Sequence, residues 1–345
     1  MMPVTIQDQV STITDLLRNE EAICYIKDNF SKKLARNLNL INVSAPIAVL
    51  DGTGINDDLN GIEKPVGFSI KGIEGQKALI VQSLAKWKRM RLKEFRIEPG
   101  KGLLTDMRAI RPDEDLDRIH SIYVDQWDWE KCILPEQRTI RYLKSTVECI
   151  YEALLATESD ICRRYPECTP ELPGKIHFIH SEELLRLYPD LTSKQRETKI
   201  AQQYGAVFII GIGGNLSNGK PHDGRAPDYD DWSTMNEEGY FGLNGDIILW
   251  NPVLKSAFEI SSMGIRVSKE ALERQLEIRE CTYKKKLLFH SLLLGNQLPL
   301  SIGGGIGQSR ICMFFLKKMH IGEVQSSIWS EQAIIEAEKE GCHLL

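Results

Sequence analysis

The sequence predicts an α+β fold, a mainly antiparallel β-sheet flanked by helices, and three observations carry that expectation. β-Branched runs come in pairs separated by turn-length gaps, as in "VGFSIKG" with "KALIVQSL" and "GDIILWNP" with "AFEISSMGIRV". Helical patterns fall between these pairs, whereas a doubly wound parallel sheet would place one after every strand. No internal repeat, low-complexity tract or Pro/Gly/Ser-rich linker divides residues 1–345, so a single domain is expected.

The elements follow in order. The first thirty residues set Ile13, Leu16, Leu17, Ile23 and Ile26 at three- and four-residue steps, an amphipathic helix. After it, "LNLINVSAPIAVL" (38–50) reads as a strand that Pro46 confines to an edge or an interface. The first hairpin comes next, then a basic helical piece, "AKWKRMRLKEF". In "HSIYVDQWDW" (120–129), alternation puts Ile122, Val124, Gln126 and Asp128 on one face and Tyr123, Asp125, Trp127 and Trp129 on the other. The longest helix is expected at 136–165, with Ile140, Leu143, Val147, Ile150 and Leu154 as its apolar stripe. "KIHFIH" and "GAVFIIGIGG" read as strands around two short helices, and the late strand pair turns at Asn251-Pro252. Helices at 268–279 and 283–294 lead to "GGGIGQSR" (303–310), read as a glycine-rich turn ahead of the buried helix "ICMFFLKKM".

Hydrophobic residues make up 42% of the chain, ample for a core, and 43 basic against 48 acidic residues give a net charge of -5. That balance argues against nucleic acid as the main partner. Eight cysteines lack metal-ligand or redox spacing and read as reduced thiols of a cytoplasmic protein. The N-terminus has no basic region followed by an apolar run, and no stretch approaches about 18 apolar residues, so neither secretion nor a membrane span is expected.

Several residues could carry chemistry. "GGGIGQSR" lacks a P-loop ending and follows a helix, so its bare backbone suits either a simple tight turn or the close approach of a flat ring, with Arg310 reaching phosphate from the next helix. Arg111 in "AIRPDED" precedes three carboxylates that could fix a guanidinium for bidentate phosphate binding. Asp246 and Glu259 lie on the late strand pair, where two hard-oxygen ligands suit magnesium. For Glu259 and Ser262 to share a face, a bulge near Ser261 is needed. Asp228, Asp230 and Asp231 in "RAPDYDDWST" read more readily as a solvated turn than as a site. His177 and His180 fall on opposite strand faces and read as structural, and no G-x-S-x-G elbow supports acyl transfer through serine.

In content and order these segments resemble the class II aminoacyl-tRNA synthetase catalytic core. "NVSAPIAV" is similar to motif 1, whose proline, here Pro46, implies a homodimer interface; "IRPDED" is similar to motif 2 and "GGGIGQSR" to motif 3. No segment ahead of motif 1 resembles an anticodon-binding barrel. Over nearly its whole length the chain resembles ammonia-dependent asparagine synthetases, through "SLAKWKR", "RPDED", "YVDQWDWE", "RAPDYDDWST", "LNGDI", "SSMGIR" and "GGGIGQSR". The resemblance implies ATP-dependent amidation of L-aspartate by ammonia through a β-aspartyl adenylate.

It also implies roles. Arg111, Arg310 and the glycines Gly303, Gly304 and Gly305 would hold ATP, and Asp246 and Glu259 would hold Mg2+. Ser83, Lys88, Gln126, Asp128, Asp230, Ser262 and Arg266 would line the aspartate pocket, with Lys88 and Arg266 on the α-carboxylate. The loop "DGTGINDDLNG" (51–61) is longer than in bacterial members, and Asp57, or else Asp58, would serve ammonia. The competing readings are a synthetase paralogue that keeps tRNA chemistry and a scaffold without catalysis.

Overall fold

A computed structural model describes the backbone of residues 6–57 and 63–345, and side chains from residue 15 onward. The Ile13 side chain and Asp58 therefore lie outside the described residues. In chain order the elements are α1 (Ile6–Leu38), β1 (Leu40–Asn42), β2 (Ala48–Leu50), β3 (Gly67–Ile70), β4 (Ile73–Ile80), α2 (Ala85–Glu94), β5 (Gly102–Ile110) and β6 (Tyr123–Cys132). Then come α3 (Ile140–Arg164), β7 (His177–His180), α4 (Ser181–Leu187), α5 (Ser193–Tyr204), β8 (Ala206–Ile210), β9 (Asn244–Asn251) and β10 (Ser256–Ile265). The chain closes with α6 (Lys269–Ile278), α7 (Leu288–Leu294), β11 (Ser301–Gly307), α8 (Gln308–Phe315) and α9 (Glu331–Lys339).

Eight strands form one mixed sheet in the order β1-β5-β6-β11-β10-β9-β8-β7. Neighbours from β5 through β8 are antiparallel, while the edge pairs β1–β5 and β7–β8 are parallel. The hairpin signals in the sequence report only local antiparallel pairs. A parallel pair needs a long crossover and leaves no turn signature.

Three expectations are corrected here. The run at 38–50 is two strands: Pro46 has no N–H to give a ladder, so β1 joins the large sheet and β2 joins β4 and β3 in a separate three-stranded sheet. Residues 283–294 divide into a 3-10 turn at Thr282–Lys286 and the short α7. The longest helix is α1 with 33 residues, against 25 for α3. Its buried stripe Ala22, Ile26, Phe30, Leu34 and Leu38 runs well past the five residues from which the sequence pattern was read.

Strand β6 separates core from cleft. Trp127 and Trp129 face α1 and α3, buried among Ile26, Phe30, Leu34, Leu143, Val147 and Leu154, with the Phe30 and Trp127 rings 4.7 Å apart. Gln126, Asp128 and Glu130 take the opposite face, as a period of two requires.

The glycine triplet is a further correction. Gly303, Gly304 and Gly305 form the middle of β11, a central strand between β6 and β10. The triplet is absent from the positive-φ glycines, so turn geometry does not explain it. Space does. A Cβ at Gly303 would collide with the Glu130 carboxylate and one at Gly305 with the Gln126 amide. At Gly304 it would lie 2.5 Å from Met263 Cβ and 2.8 Å from the Ser262 carbonyl oxygen.

These neighbours predict different outcomes. Gly304→Ala presses on strand backbone that cannot yield, and overpacking of about 1–3 kcal/mol should lower the thermal midpoint by roughly 3 °C or more. Gly305→Ala meets the free end of one side chain and should leave the midpoint within about 1 °C while displacing Gln126. Differential scanning calorimetry of both variants checks the contrast.

Candidate active site

The register of the sheet builds the floor of the site. Asp128 on β6 lies opposite Gly305 on β11, Gly305 opposite Ser262 on β10, and Ser262 opposite Asp246 on β9. One row across four strands thus carries three functional side chains with a glycine gap between them. The register slips between Glu259 and Ser261, a bulge that pairs Glu259 with Ile248 and brings its side chain to the Asp246 face. Ser262 Oγ then lies 2.7 Å from Asp246 Oδ1 and 3.3 Å from Glu259 Oε1.

Among the described residues given an ATP, metal, aspartate or ammonia role from the sequence, all except Gly303 line one cleft of about 460 Å³. Gly303 sits over the Glu130 carboxylate, outside the lining. Ser83 comes from the turn before α2, where its hydroxyl accepts from the Ala85 N–H. Asp57 is 3% exposed, on the loop after β2. Arg111, just past β5, donates to the Gln82 carbonyl at 3.1 Å and stands 4.0 Å from Glu114. Arg310, in the first turn of α8, donates to the Glu259 carbonyl at 2.7 Å.

Buried ion pairs fill the centre. Arg266 donates to both oxygens of Glu130 and to Asp230 Oδ1. Burial works against its charge, and the two carboxylates outweigh that, holding its pKa above the ordinary arginine value. Lys88 donates to Asp128 Oδ1 and, at 2.9 Å, to the Gly304 carbonyl. Burial pushes the Lys88 pKa down and that of Asp128 up, and the charge of each partner opposes the shift of the other. Asp128 Oδ2 is buried with no hydrogen-bond partner among the described residues. Burial also pushes Asp246 up to about 6, with Glu259 adding to the rise and Arg225 opposing it.

The acidic run Asp228, Asp230 and Asp231 is not a solvated turn: all three are at most 1% exposed. Asp228 accepts from Lys86 at 3.0 Å and from His290 at 2.9 Å, tying α2 to α7. Asp231 pairs with Arg138 at 2.6 Å and caps the turn at Ser233 and Thr234. Only Asp230 turns to the cleft.

Two site residues escaped the sequence reading. Glu130 continues the Gln126 and Asp128 alternation by one more step, a signal that was there to be used. Arg225 opens the segment "RAPDYDDWST", yet nothing in its neighbours foretells that it reaches Asp246 and Ser262. Glu130→Ala should cost about 3–5 kcal/mol of unfolding free energy, because it leaves the buried Arg266 short of its main partner. Urea denaturation measures it, and a loss under about 1 kcal/mol would show that the pair is not needed for stability.

Comparison with known proteins adds to the geometry. Residues 17–341 match the aspartate–ammonia ligase family. An aspartate–ammonia ligase of Parabacteroides distasonis is 55% identical over 96% of this chain and 96% of its own length. One of Clostridium perfringens is also 55% identical, with the same coverage of both chains. Among solved structures, asparaginyl-tRNA synthetase of Pyrococcus horikoshii complexed with asparaginyl-adenylate superposes with a TM-score of 0.66 at 14% identity, covering 89% of this chain and 68% of that one. The Entamoeba histolytica asparaginyl-tRNA synthetase gives 0.64 at 12% identity, covering 94% and 71%. The fold is therefore that of class II aminoacyl-tRNA synthetases, and with matches of this extent on both sides the chain belongs to the aspartate–ammonia ligase family.

Proposed function

We propose that the protein makes L-asparagine from L-aspartate and ammonia at the expense of ATP, through a β-aspartyl adenylate. The observation that carries this reading is the convergence, in one cleft, of two arginines bonded to backbone carbonyls with a carboxylate-locked cation pair, in a chain 55% identical to named aspartate–ammonia ligases.

A carboxylate must be activated before ammonia can displace an oxygen from it. In the first step a β-carboxylate oxygen of aspartate attacks the α-phosphorus of ATP and the bond to pyrophosphate breaks. Arg111 and Arg310 spend their hydrogen bonds on backbone oxygens and keep their charge for phosphate: Arg111 serves the α-phosphate and Arg310 the β/γ end. The glycine strand lets the adenosine lie against backbone. Asp246, Glu259 and the Ser262 hydroxyl form a set of hard oxygens that fits Mg2+ with phosphate and water as the remaining ligands. Bound there, the ion would neutralise phosphate charge.

The substrate ammonium is received by Gln126 and the open oxygen Asp128 Oδ2. Lys88 and Arg266 hold the α-carboxylate, which leaves the β-carboxylate to react, with Ser83 and Asp230 completing the pocket. In the second step ammonia attacks the acyl carbon and AMP leaves with the electrons of the broken C–O bond. Asp57 binds the incoming ammonium and takes its proton.

We read the chain as one catalytic domain working as a cytoplasmic homodimer. Ile41 and Ile47 on either side of Pro46, and Phe68 on β3 of the small sheet that holds β2, are each over 40% exposed and support that assembly. Among the described residues no helix is long and apolar enough to cross a membrane.

Incubation with aspartate, ATP, Mg2+ and ammonium chloride should yield asparagine, AMP and pyrophosphate in equal amounts. Pyrophosphate exchange without asparagine would point to another acceptor, tRNA first among them. Arg266→Lys keeps the charge but loses the fork, so the aspartate KM should rise about tenfold or more while that for ATP stays within about twofold. Equal effects would refute the proposed orientation. Asp57→Asn should still support aspartate-dependent pyrophosphate exchange while amide formation falls by about a hundredfold.

A further inference from the structure

Arg225 is absent from the mechanism above, yet it sits at its centre. It comes from the connection between β8 and β9, follows Gly224, and its side chain is 7% exposed. Its Nη2 donates to Asp246 Oδ1, its Nη1 donates to Ser262 Oγ at 2.7 Å, and its Nε stands 3.5 Å from Asp230 Oδ2. One guanidinium therefore spans Asp246 of the proposed metal site and the Asp230 carboxylate that holds Arg266.

The Asp246 oxygen that Arg225 grips is one of the few hard donors in that corner. Among the described residues no group of three His, Cys, Asp or Glu side chains could hold a metal ion. A divalent cation that takes Asp246 through Oδ1 would compete with Arg225 for that oxygen. Both are positive and both are drawn by the same buried charge, which is expensive to leave without a partner. Of the three cleft cations Lys88, Arg225 and Arg266, Arg225 is also the one that no helix or strand anchors. Arg266 follows directly on β10 and Lys88 rises from α2, whereas Arg225 belongs to residues 211–243, which carry neither helix nor strand.

We propose that Arg225 is an exchangeable counter-ion of the metal site: it holds Asp246 and Ser262 in place, yields Asp246 to an incoming divalent cation, and stays tethered near Asp230 with its charge turned to the phosphate chain. The proposal rests on the reading of Asp246 and Glu259 as metal ligands. Its consequence runs against intuition, since removing a cleft arginine tightens metal binding.

The test is Mn2+ binding to the full-length protein without nucleotide at neutral pH, followed by electron paramagnetic resonance of the free ion. Arg225→Gln should bind Mn2+ about tenfold tighter than the unaltered protein, the size of one competing charged contact. Arg225→Lys keeps the charge but loses the fork and should gain about threefold. Asp246→Asn should abolish the site. A misfolded variant would bind more weakly, so tightening cannot come from structural damage. Should Arg225→Gln not fold, Arg225→Lys decides. Mn2+ affinity that is unchanged or weakened on replacing Arg225, but lost in Asp246→Asn, overturns the exchange and leaves the metal reading standing. Affinity unchanged in Asp246→Asn, with and without ATP, overturns the metal reading and the exchange with it.

Discussion

The cleft depends above all on the burial of Arg266 between Glu130 and Asp230. Taking a guanidinium out of water costs several kcal/mol, and only carboxylates in good geometry offset it. The bonds that do so come from β6 and from the connection between β8 and β9, so charge compensation and backbone placement are one constraint. Ser301 on β11 adds a hydroxyl to Glu130 Oε1 at 2.6 Å, which brings a third strand into the arrangement. Lys88 and Asp128 repeat the logic one row along. Polar groups fixed in this way are aimed before any substrate arrives, which is what electrostatic stabilisation of a transition state asks of a site.

Such crowding of charge needs room, and β11 supplies it by having no side chains where its neighbours have their largest polar ones. Gly303 lies against the Glu130 carboxylate, Gly305 beside Gln126, and Gly304 against the β10 backbone. The bulge in β10 answers a different difficulty. A regular strand would turn Glu259 away from Ser262, and one extra residue restores it to the face shared with Asp246. Glycines and bulge are departures from ideal strand structure with separate purposes, one spatial and one directional.

Much of this could be read in the sequence, for definable reasons. Elements with a strong period came through: the two faces of β6, the stripe of α3 and the late strand pair lie where alternation and helical spacing put them. The bulge followed from a demand of geometry. Long-range information did not come through. "AKWKRMRLKEF" reads only as a basic helical piece, and nothing local tells that Lys86, Lys88 and Arg89 are at most 2% exposed, because their partners Asp228, Asp128 and the Val267 carbonyl lie far along the chain. The acidic run at 228–231 misleads in the same way. Glycine after glycine suggests a turn by local propensity, and only the register of β6 and β10 reveals a strand. Arg225 gave no local sign at all.

The register row that makes the floor also orders events in time. Lys88 and the Gly304 carbonyl that receives it are 216 residues apart, and Arg266 is 136 residues from Glu130. During synthesis β6 leaves the ribosome with its two neighbours in unequal states, β5 already made and β11 still to come. Until β11 inserts, Asp128 and Glu130 face an open strand edge, and the buried cations have only part of their shell. The cleft therefore closes through contacts distant in sequence, the kind that form slowly and leave an unpaired edge open to aggregation until they do.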